Sequence, residues 1–238
     1  MMDVFAEAGI KFSVITPDRT EEVCQFMSEY FYPDEPIFRS VGIKRNNLMD
    51  SIYSEAIKEG SSVMATDSSG KIIGVRITEI LDKNSWLKKS MERFFTSSLP
   101  ILAKLGKILK KPVFHKACTV CHALLTKLNY KMWPLFDEFG CQKILSDVGV
   151  CTSREARVKG LGTELVKQGE AVGRSKGCEY SVNLVTGLYS GKIFRDKLKY
   201  TVRSEVFYAE FFDEDGNLYL NDTREHLSCF MCNKKISD

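Results

Sequence analysis

The sequence predicts one domain of the mixed α/β (α+β) class, in which helices flank a central β-sheet. The first observation is that strand-like and helix-like segments alternate along the chain. The second is size and composition. A chain of 238 residues is long enough to bury a core, and its composition, 44% hydrophobic and 27% charged residues, is close to that of an average soluble domain. The third is that no repeat and no Pro/Gly/Ser-rich linker divides residues 1–238. We therefore expect a single domain.

The first half of the chain predicts two strand–helix units. A short strand at 12–15 precedes Thr16, Pro17 and Asp18, which are residues typical of a helix start. Two strands joined by a tight turn indicate a hairpin. The predicted segments are a helix to about residue 30, a helix at 46–58, and strands at 62–66 and 71–81 around the turn 67–70.

The second half opens with a helix-rich insertion at about 85–139, interrupted by Pro100, Pro112 and Pro134. Beyond it the patterns resume a β-α-β-α order, followed by strands that close the sheet. The predicted segments are strands at 143–152, 179–185, 202–211 and 226–232, helices at 161–175 and 190–197, and a turn at 213–217.

Charge and cysteine content narrow the function classes. Thirty-four basic against 31 acidic residues give a net charge of +3, too small to favour nucleic acid as the main partner. No apolar run approaches the roughly 20 residues of a membrane-spanning helix, so we expect no membrane partner. The N-terminus shows no secretory signal, and eight cysteines are then more naturally free thiols. We expect a cytoplasmic protein, monomeric or weakly dimeric.

The most informative segment is the loop Arg157-Val158-Lys159-Gly160-Leu161-Gly162. It lies between a predicted strand and a predicted helix, where backbone N–H groups at a helix N-terminus bind anions such as phosphate. The Walker pattern and the dinucleotide-binding pattern both fail here. On its own the loop indicates either a phosphate site or an ordinary strand-to-helix turn.

Three motifs in order carry a resemblance to a known family. The loop matches R-x-x-G-x-G and, with its strand and helix, resembles the acetyl-CoA loop of the GNAT superfamily of N-acetyltransferases. Downstream, the stretch from Tyr189 to Tyr200 is similar to that superfamily's short helix and its K-L-G-F box, here Lys-Leu-Lys-Tyr. Upstream, Phe31-Tyr32-Pro33-Asp34-Glu35-Pro36 and the segment Trp133-Pro134-Leu135-Phe136-Asp137 resemble the insect arylalkylamine N-acetyltransferases.

The resemblance implies the GNAT fold, a mixed central sheet that is splayed between its central strands. It implies acetyl-CoA as cosubstrate and no metal. The pantetheine arm would lie along the fourth strand and the pyrophosphate on the glycine loop. The implied cofactor-binding residues are Val150, Cys151, Thr152, Arg157, Val158, Lys159, Gly160, Leu161, Gly162 and Thr163, with Tyr189 and Lys192 as either cofactor contacts or surface residues.

The resemblance also implies the chemistry. Glu35 would be the general base that takes a proton from the substrate ammonium, and apolar neighbours would raise its pKa. Tyr32, Asp34 and His226 would lie near the substrate, although His226 could equally be structural. Many GNAT enzymes place a tyrosine where Arg195 stands here, so Thr186 and Ser190 take its place as hydrogen-bond donors to the departing thiolate. Alternatively, Ser190 N-caps its helix.

Other patterns compete with this interpretation. Residues 118–122 match C-x-x-C-H, and His115, Cys118 and His122 would share a helix face that could hold a metal, with Cys229 and Cys232 as further thiols. Five lysines at 104–116 could form a solvated helix face or contact acidic partners.

We therefore expect an acetyl-CoA-dependent N-acetyltransferase of small arylalkylamines, such as dopamine, tyramine, octopamine or serotonin. Acetylation of aliphatic amines (agmatine, polyamines) or of proteins and peptides is the alternative enzyme class. An acyl-CoA-binding or zinc-binding interaction module is the non-enzymatic one.

Overall fold

A computed structural model describes residues 2–45, 47–85, 100–101, 103–105, 107–108, 110, 112–129, 132–156 and 160–237. Seven strands form one mixed sheet in the order β1-β2-β3-β4-β5-β7-β6, which confirms the predicted mixed α/β class. The strands are β1 (Lys11–Val14), β2 (Val63–Thr66), β3 (Ile72–Asp82), β4 (Lys143–Thr152), β5 (Tyr180–Val185), β6 (Thr201–Phe207) and β7 (Ser228–Lys235).

Helices cover both faces of this sheet. Short 3₁₀ segments at Pro17–Arg19 and Tyr208–Glu210 and π-helical turns at Met27–Phe31 and Lys192–Lys197 extend or connect them. The α-helices are α1 (Met2–Glu7), α2 (Thr20–Phe26), α3 (Pro36–Val41), α4 (Asn47–Lys58), α5 (Pro112–Lys127), α6 (Met132–Phe139), α7 (Leu161–Ser175) and α8 (Leu188–Gly191). No described helix is long and apolar enough to cross a bilayer.

Alternating side chains of the strands divide the core into two layers. On β2, Val63 and Ala65 pack with Leu161 and Leu165 of α7 on one face. Met64 between them packs on the opposite face, where α2 and α4 lie. At the β6–β7 end, α5 packs on the same face as α2 and α4. The sheet is therefore a fixed platform between two helical layers.

The parallel strands β4 and β5 separate in the middle of the sheet. They pair only at Ile144–Tyr180, Leu145–Ser181 and Ser146–Val182. Beyond Ser146, β4 continues to Thr152 with β3 on one side only, and β5 continues with β7 on its far side. One edge of β4, from Asp147 to Thr152, thus faces an opening instead of a strand, which is the splay expected from the resemblance.

A buried charged pair lies where the strands separate. Arg76 of β3 is fully buried, and its Nε and Nη2 lie 2.8 and 2.7 Å from Asp147 Oδ1 on β4. Its Nη1 donates to the Val166 carbonyl of α7 at 2.6 Å, and Nη2 lies 3.4 Å from Ser181 Oγ on β5. One guanidinium therefore contacts all three elements that border the opening.

The structure differs from the predictions mainly at the C-terminal strands. The strand predicted at 202–211 ends at Phe207, because a 3₁₀ turn follows. The strand predicted at 226–232 begins at Ser228 and runs to Lys235, since pairing with β5 holds its polar end in the sheet. Within the predicted insertion at 85–139, residues 86–99 lie outside the described residues, and α5 and α6 account for much of the remainder.

Replacing Arg76 by Met should strongly destabilise the protein, because Asp147 would keep a buried charge without its partner. We expect the free energy of unfolding to fall by about 3–5 kcal/mol, measured by urea denaturation. Replacing Asp147 by Leu in the same chain should recover part of this loss.

The matched control is Arg45→Met. Arg45 pairs with two carboxylates, Glu21 and Asp50, where Arg76 pairs with one, but the Arg45 side chain is 26% exposed. Its loss should cost about 1 kcal/mol or less. Equal losses in the two arginine variants would contradict the structural role assigned to Arg76.

Candidate active site

A cavity of about 460 Å³ lies between the open edge of β4, the start of α7 and α8. The structure brings most of the predicted site residues to this one cavity. They are Asp34, Glu35, Val150, Cys151, Thr152, Gly160, Leu161, Gly162, Thr163, Thr186, Tyr189, Ser190, Lys192 and His226.

The start of α7 forms one end of the cavity. Gly160 precedes the helix at φ +98°, a left-handed conformation that favours glycine, and no side chain caps the helix. The first intrahelical bond from Glu164 N–H reaches the Gly160 carbonyl, so the N–H groups of residues 161–163 have no carbonyl within the helix. The buried Thr163 Oγ1 has no hydrogen-bond partner among the described residues. These donors fit a diphosphate.

Two walls of the cavity meet at Gly162. A Cβ atom at this position would lie 2.9 Å from Ile193 Cδ1. Because real Cβ atoms essentially never approach another atom so closely, a larger residue at this position would require the end of the Ile193 side chain to move. Lys192 and Lys197 of that segment also line the cavity, and they add positive charge near the diphosphate donors.

Glu35 lines the same cavity at the start of α3. Its side chain caps the helix by accepting a hydrogen bond from the Phe38 N–H at Oε2, and Pro36 fits the first helical position. Glu35 is 6% exposed, and Oε1 is buried without a hydrogen-bond partner among the described residues. One carboxylate oxygen is thus engaged in the helix cap, and the other is not.

Burial controls the protonation of this carboxyl. Loss of hydration raises the pKa of Glu35 to about 7, although the Phe38 N–H, the Thr186 hydroxyl and the positive charge of Arg39 act in the opposite direction. A carboxyl with this pKa is partly ionised near neutral pH and can accept a proton there.

The helical insertion holds α3, and with it Glu35, in place. Ile37 and Val41 of α3 pack against Val120 and Leu124 of α5, and Lys116 Nζ donates to the Ser40 carbonyl at 2.9 Å. The insertion therefore fixes the position of the helix that begins at Glu35.

Thr186 and Ser190 line the same cavity as Glu35. The Thr186 carbonyl accepts from the buried Tyr208 hydroxyl at 2.7 Å, which fixes the chain at this point. Ser190 does not cap its helix, because Gly187 occupies that position and the Ser190 Oγ donates to the Gly187 carbonyl at 3.0 Å. Arg195 pairs with Glu205 and stacks on Phe230, and it is not among the cavity residues.

His226 connects two loops at the cavity wall. Its Nδ1 accepts from the Leu188 N–H at 2.9 Å and therefore carries no proton, and the ring donates to the Asp34 backbone carbonyl. Burial lowers the pKa of His226. The neutral ring holds α8 against the turn that precedes Glu35.

Some predicted site residues are elsewhere. Tyr32 lies outside the cavity, buried in the core beside Phe31 and Phe38, because the π-turn directs its neighbour Phe31 to the cavity instead. Arg157, Val158 and Lys159 lie outside the described residues. The sequence analysis assigned no role to six further cavity residues, although four of them, Phe31, Pro36, Ile193 and Lys197, lie inside the quoted motifs. The other two are Tyr30 and Gly187.

The C-x-x-C-H segment lies on α5 as predicted. His115 Nδ1 is 2.8 Å from the Ala103 carbonyl, and Cys118 is buried. All eight cysteines have free thiols. Within the described part of the chain, no three His, Cys, Asp or Glu side chains cluster closely enough to hold a metal ion.

Glu35→Gln should stabilise the protein at alkaline pH. Between the unfolded pKa of 4.5 and the folded pKa of about 7, the folded protein binds more protons than the unfolded chain, so its stability falls as the pH rises. The variant has no ionisable group at this position, so its stability does not fall with pH in this way. From pH 5 to pH 8 its unfolding free energy should gain about 2–3 kcal/mol relative to the parent, measured by urea denaturation. A difference that does not change with pH would contradict the raised pKa.

Solved structures share this architecture, although no family model and no curated protein matches the sequence. The chain is similar to arylalkylamine N-acetyltransferase 2 from Aedes aegypti, with a TM-score of 0.79, 23% identity, and 96% of this chain and 99% of that chain covered. It is also similar to the Drosophila melanogaster polyamine N-acetyltransferase that forms N-acetylagmatine, with a TM-score of 0.71, 16% identity and 95% and 99% coverage.

A third similar structure is the mosquito arylalkylamine N-acetyltransferase like 5b, with a TM-score of 0.71, 17% identity, and 95% of this chain and 99% of that chain covered. Each of the three alignments covers at least 95% of this chain. The splayed sheet and these likenesses together show that the chain has the fold of the GNAT N-acetyltransferases.

Proposed function

We propose that this protein is an acetyl-CoA-dependent N-acetyltransferase of small primary amines, in the first place arylalkylamines. The observation that carries the proposal is a buried carboxyl, Glu35, whose pKa is raised to about 7 and which lines the same cavity as the phosphate-type donors of α7. A base near its working pH and an anion site for the donor are what acetyl transfer to an amine needs.

The acetyl donor would lie in the splay. Its diphosphate would bind the N–H groups of residues 161–163 and the Thr163 hydroxyl, while Lys192 and Lys197 neutralise its charge. Its amide-bearing arm would bond to the open edge of β4 at residues 149–152, much as an added strand does. We also assign Arg157, Val158 and Lys159 to the diphosphate site, on the resemblance.

The reaction begins with the removal of a proton from the substrate. A primary ammonium of pKa near 10 is not nucleophilic, so Glu35 takes its proton, directly or through water. The amine nitrogen then attacks the thioester carbonyl carbon, the C–N bond forms and the C–S bond breaks. A backbone N–H on the open edge of β4 would stabilise the negative charge on the carbonyl oxygen.

The thiolate that leaves needs a hydrogen bond or a proton. Ser190 is the better placed hydroxyl for this role, because the Thr186 hydroxyl already acts on Glu35. The nitrogen loses a second proton as the C–S bond breaks. Of the two protons that leave the ammonium, one ends on the sulfur of the thiol and the other is released to solvent, which balances the transfer. Asp34 and His226 would shape the entrance for the substrate.

Arylalkylamines of the dopamine, tyramine, octopamine or serotonin type suit the aromatic lining of Tyr30, Phe31 and Tyr189. A screen of amines with acetyl-CoA, read as thiol release, tests the enzyme class. Turnover of polyamines, agmatine or peptides alone would show that the substrate is not an arylalkylamine. Acetyl-CoA binding without turnover of any amine would favour an acyl-CoA-binding module.

Free thiols suit a reducing cytoplasm, where we propose that the protein acts as a monomer or weak dimer.

Glu35→Gln should lower kcat by about 10²–10⁴-fold at pH 8, because the amide keeps the helix cap but accepts no proton. The parent's kcat should rise with pH through a midpoint near 7, as Glu35 ionises. Steady-state kinetics at saturating amine and acetyl-CoA measure both, and calorimetry should show acetyl-CoA affinity within a few-fold of the parent.

The matched control is Glu59→Gln. Glu59 also accepts a backbone N–H, that of Ile80, but it lies outside the cavity. Its kcat should stay within about twofold of the parent. If Glu35→Gln behaved like this control, Glu35 would not be the base.

His226→Ala should lower kcat by about tenfold through loss of positioning, while the midpoint near pH 7 persists, since the ring is not the titrating base. His226→Asn, whose amide oxygen can replace Nδ1 as the acceptor for Leu188 N–H, should recover part of the activity. Loss of the midpoint in His226→Ala would instead assign the titration to the histidine.

A further inference from the structure

A second cavity adjoins the one that holds Glu35. It measures about 410 Å³ and shares Asp34, Tyr189 and His226 with the first. The side chains that complete it are charged: Arg39, Arg154, Arg224 and Glu225. We call this cavity the arginine chamber. A substrate whose amine reaches Glu35 can extend into it.

The carboxylate at the boundary is already neutralised. Asp34 Oδ1 lies 3.4 Å from Arg154 Nη2 and 4.0 Å from Arg224 Nη1. Both arginine side chains are more than half exposed, at 56% and 55%. Glu225 is the second acidic side chain of the chamber, so its lining holds three arginines against two carboxylates, which leaves one excess positive charge and N–H donors on the two exposed arginines. A second ammonium group would meet repulsion here.

The third arginine has an unused donor. Arg39 is 91% buried at its side chain; its Nε lies 3.1 Å from Asp222 Oδ1, and Nη1 makes only long contacts of 3.4 Å to two backbone carbonyls. Nη2 is buried and has no hydrogen-bond partner among the described residues. A buried guanidinium donor without an acceptor is unfavourable. Arg39 also lies close enough to Glu35 to lower its pKa.

We propose that the arginine chamber binds an oxyanion, a carboxylate or phosphate, carried on the acceptor amine. The favoured substrates are then amines with an acidic substituent, and diamines are disfavoured. This inference rests on the proposed acetyltransferase function, and it specifies the substrate class of that same site. Guanidinium groups recognise carboxylate and phosphate through paired, charge-assisted hydrogen bonds.

The test compares amines of equal length that differ only in the charge of their far end. Butylamine, 4-aminobutanoate and putrescine form the four-carbon set, and tyramine with tyramine O-phosphate forms the aromatic pair. We expect kcat/KM to be at least about tenfold higher for the anionic member than for the neutral one, and lowest for putrescine.

Charge variants assign the preference to the chamber. In the double variant Arg154→Gln/Arg224→Gln, the ratio of kcat/KM for 4-aminobutanoate to that for butylamine should fall by about tenfold or more. The control is Arg19→Gln, an arginine that pairs with Glu22 and lines neither cavity. It should leave this ratio unchanged. An equal or lower kcat/KM for the anionic amines in the parent protein would overturn the proposal while the acetyltransferase function stands.

A binding measurement separates the two possible failures. Calorimetric titration with inorganic phosphate is done in the presence of saturating CoA, so that the diphosphate site is filled. The parent should bind phosphate, and the double arginine variant should bind it at least about tenfold more weakly. Phosphate binding without turnover of any amine would contradict the proposed acetyltransferase function but support the arginine chamber as an anion-binding site. Equal phosphate binding in parent and variant would overturn the chamber proposal.

Discussion

The Arg76–Asp147 pair is the contact on which the rest of the site depends. A sheet gains stability from continuous pairing, so two parallel strands that separate after three residue pairs need something else to hold them. Arg76 supplies it by contacting Asp147 on β4, Ser181 on β5 and the Val166 carbonyl of α7. The guanidinium thus bridges the two strands at the point where they separate and holds α7 against them.

The proposed base shows a conflict between stability and activity. Burial against α3 and the insertion gives Glu35 a pKa of about 7, which suits proton transfer at neutral pH. The same burial makes the ionised form unfavourable in the folded protein. The packing of α3 on α5 offsets this cost, because it anchors the helix through apolar contacts that do not depend on protonation. α5 of the insertion therefore supports the proposed base by packing on the helix that carries it.

Local sequence signals predicted the fold well and the site in part. Hydrophobic periodicity and turn residues marked β4, α7 and the β2–β3 hairpin, and the motifs marked Glu35 and the glycine loop. Contacts between distant segments left no such signal. Arg39, Arg154 and Arg224 meet only because α3, the end of β4 and the loop before β7 converge. The π-turn that moves Tyr32 into the core and Phe31 to the cavity depends on packing that no local pattern records.

The close approach of Gly162 and Ile193 limits which residues evolution can place at the start of α7. A residue with a Cβ atom at position 162 would need the end of the Ile193 side chain to turn away, since the two carbon atoms would otherwise lie 2.9 Å apart. The two positions are therefore coupled, so that a larger residue at 162 is tolerated best together with a smaller one at 193.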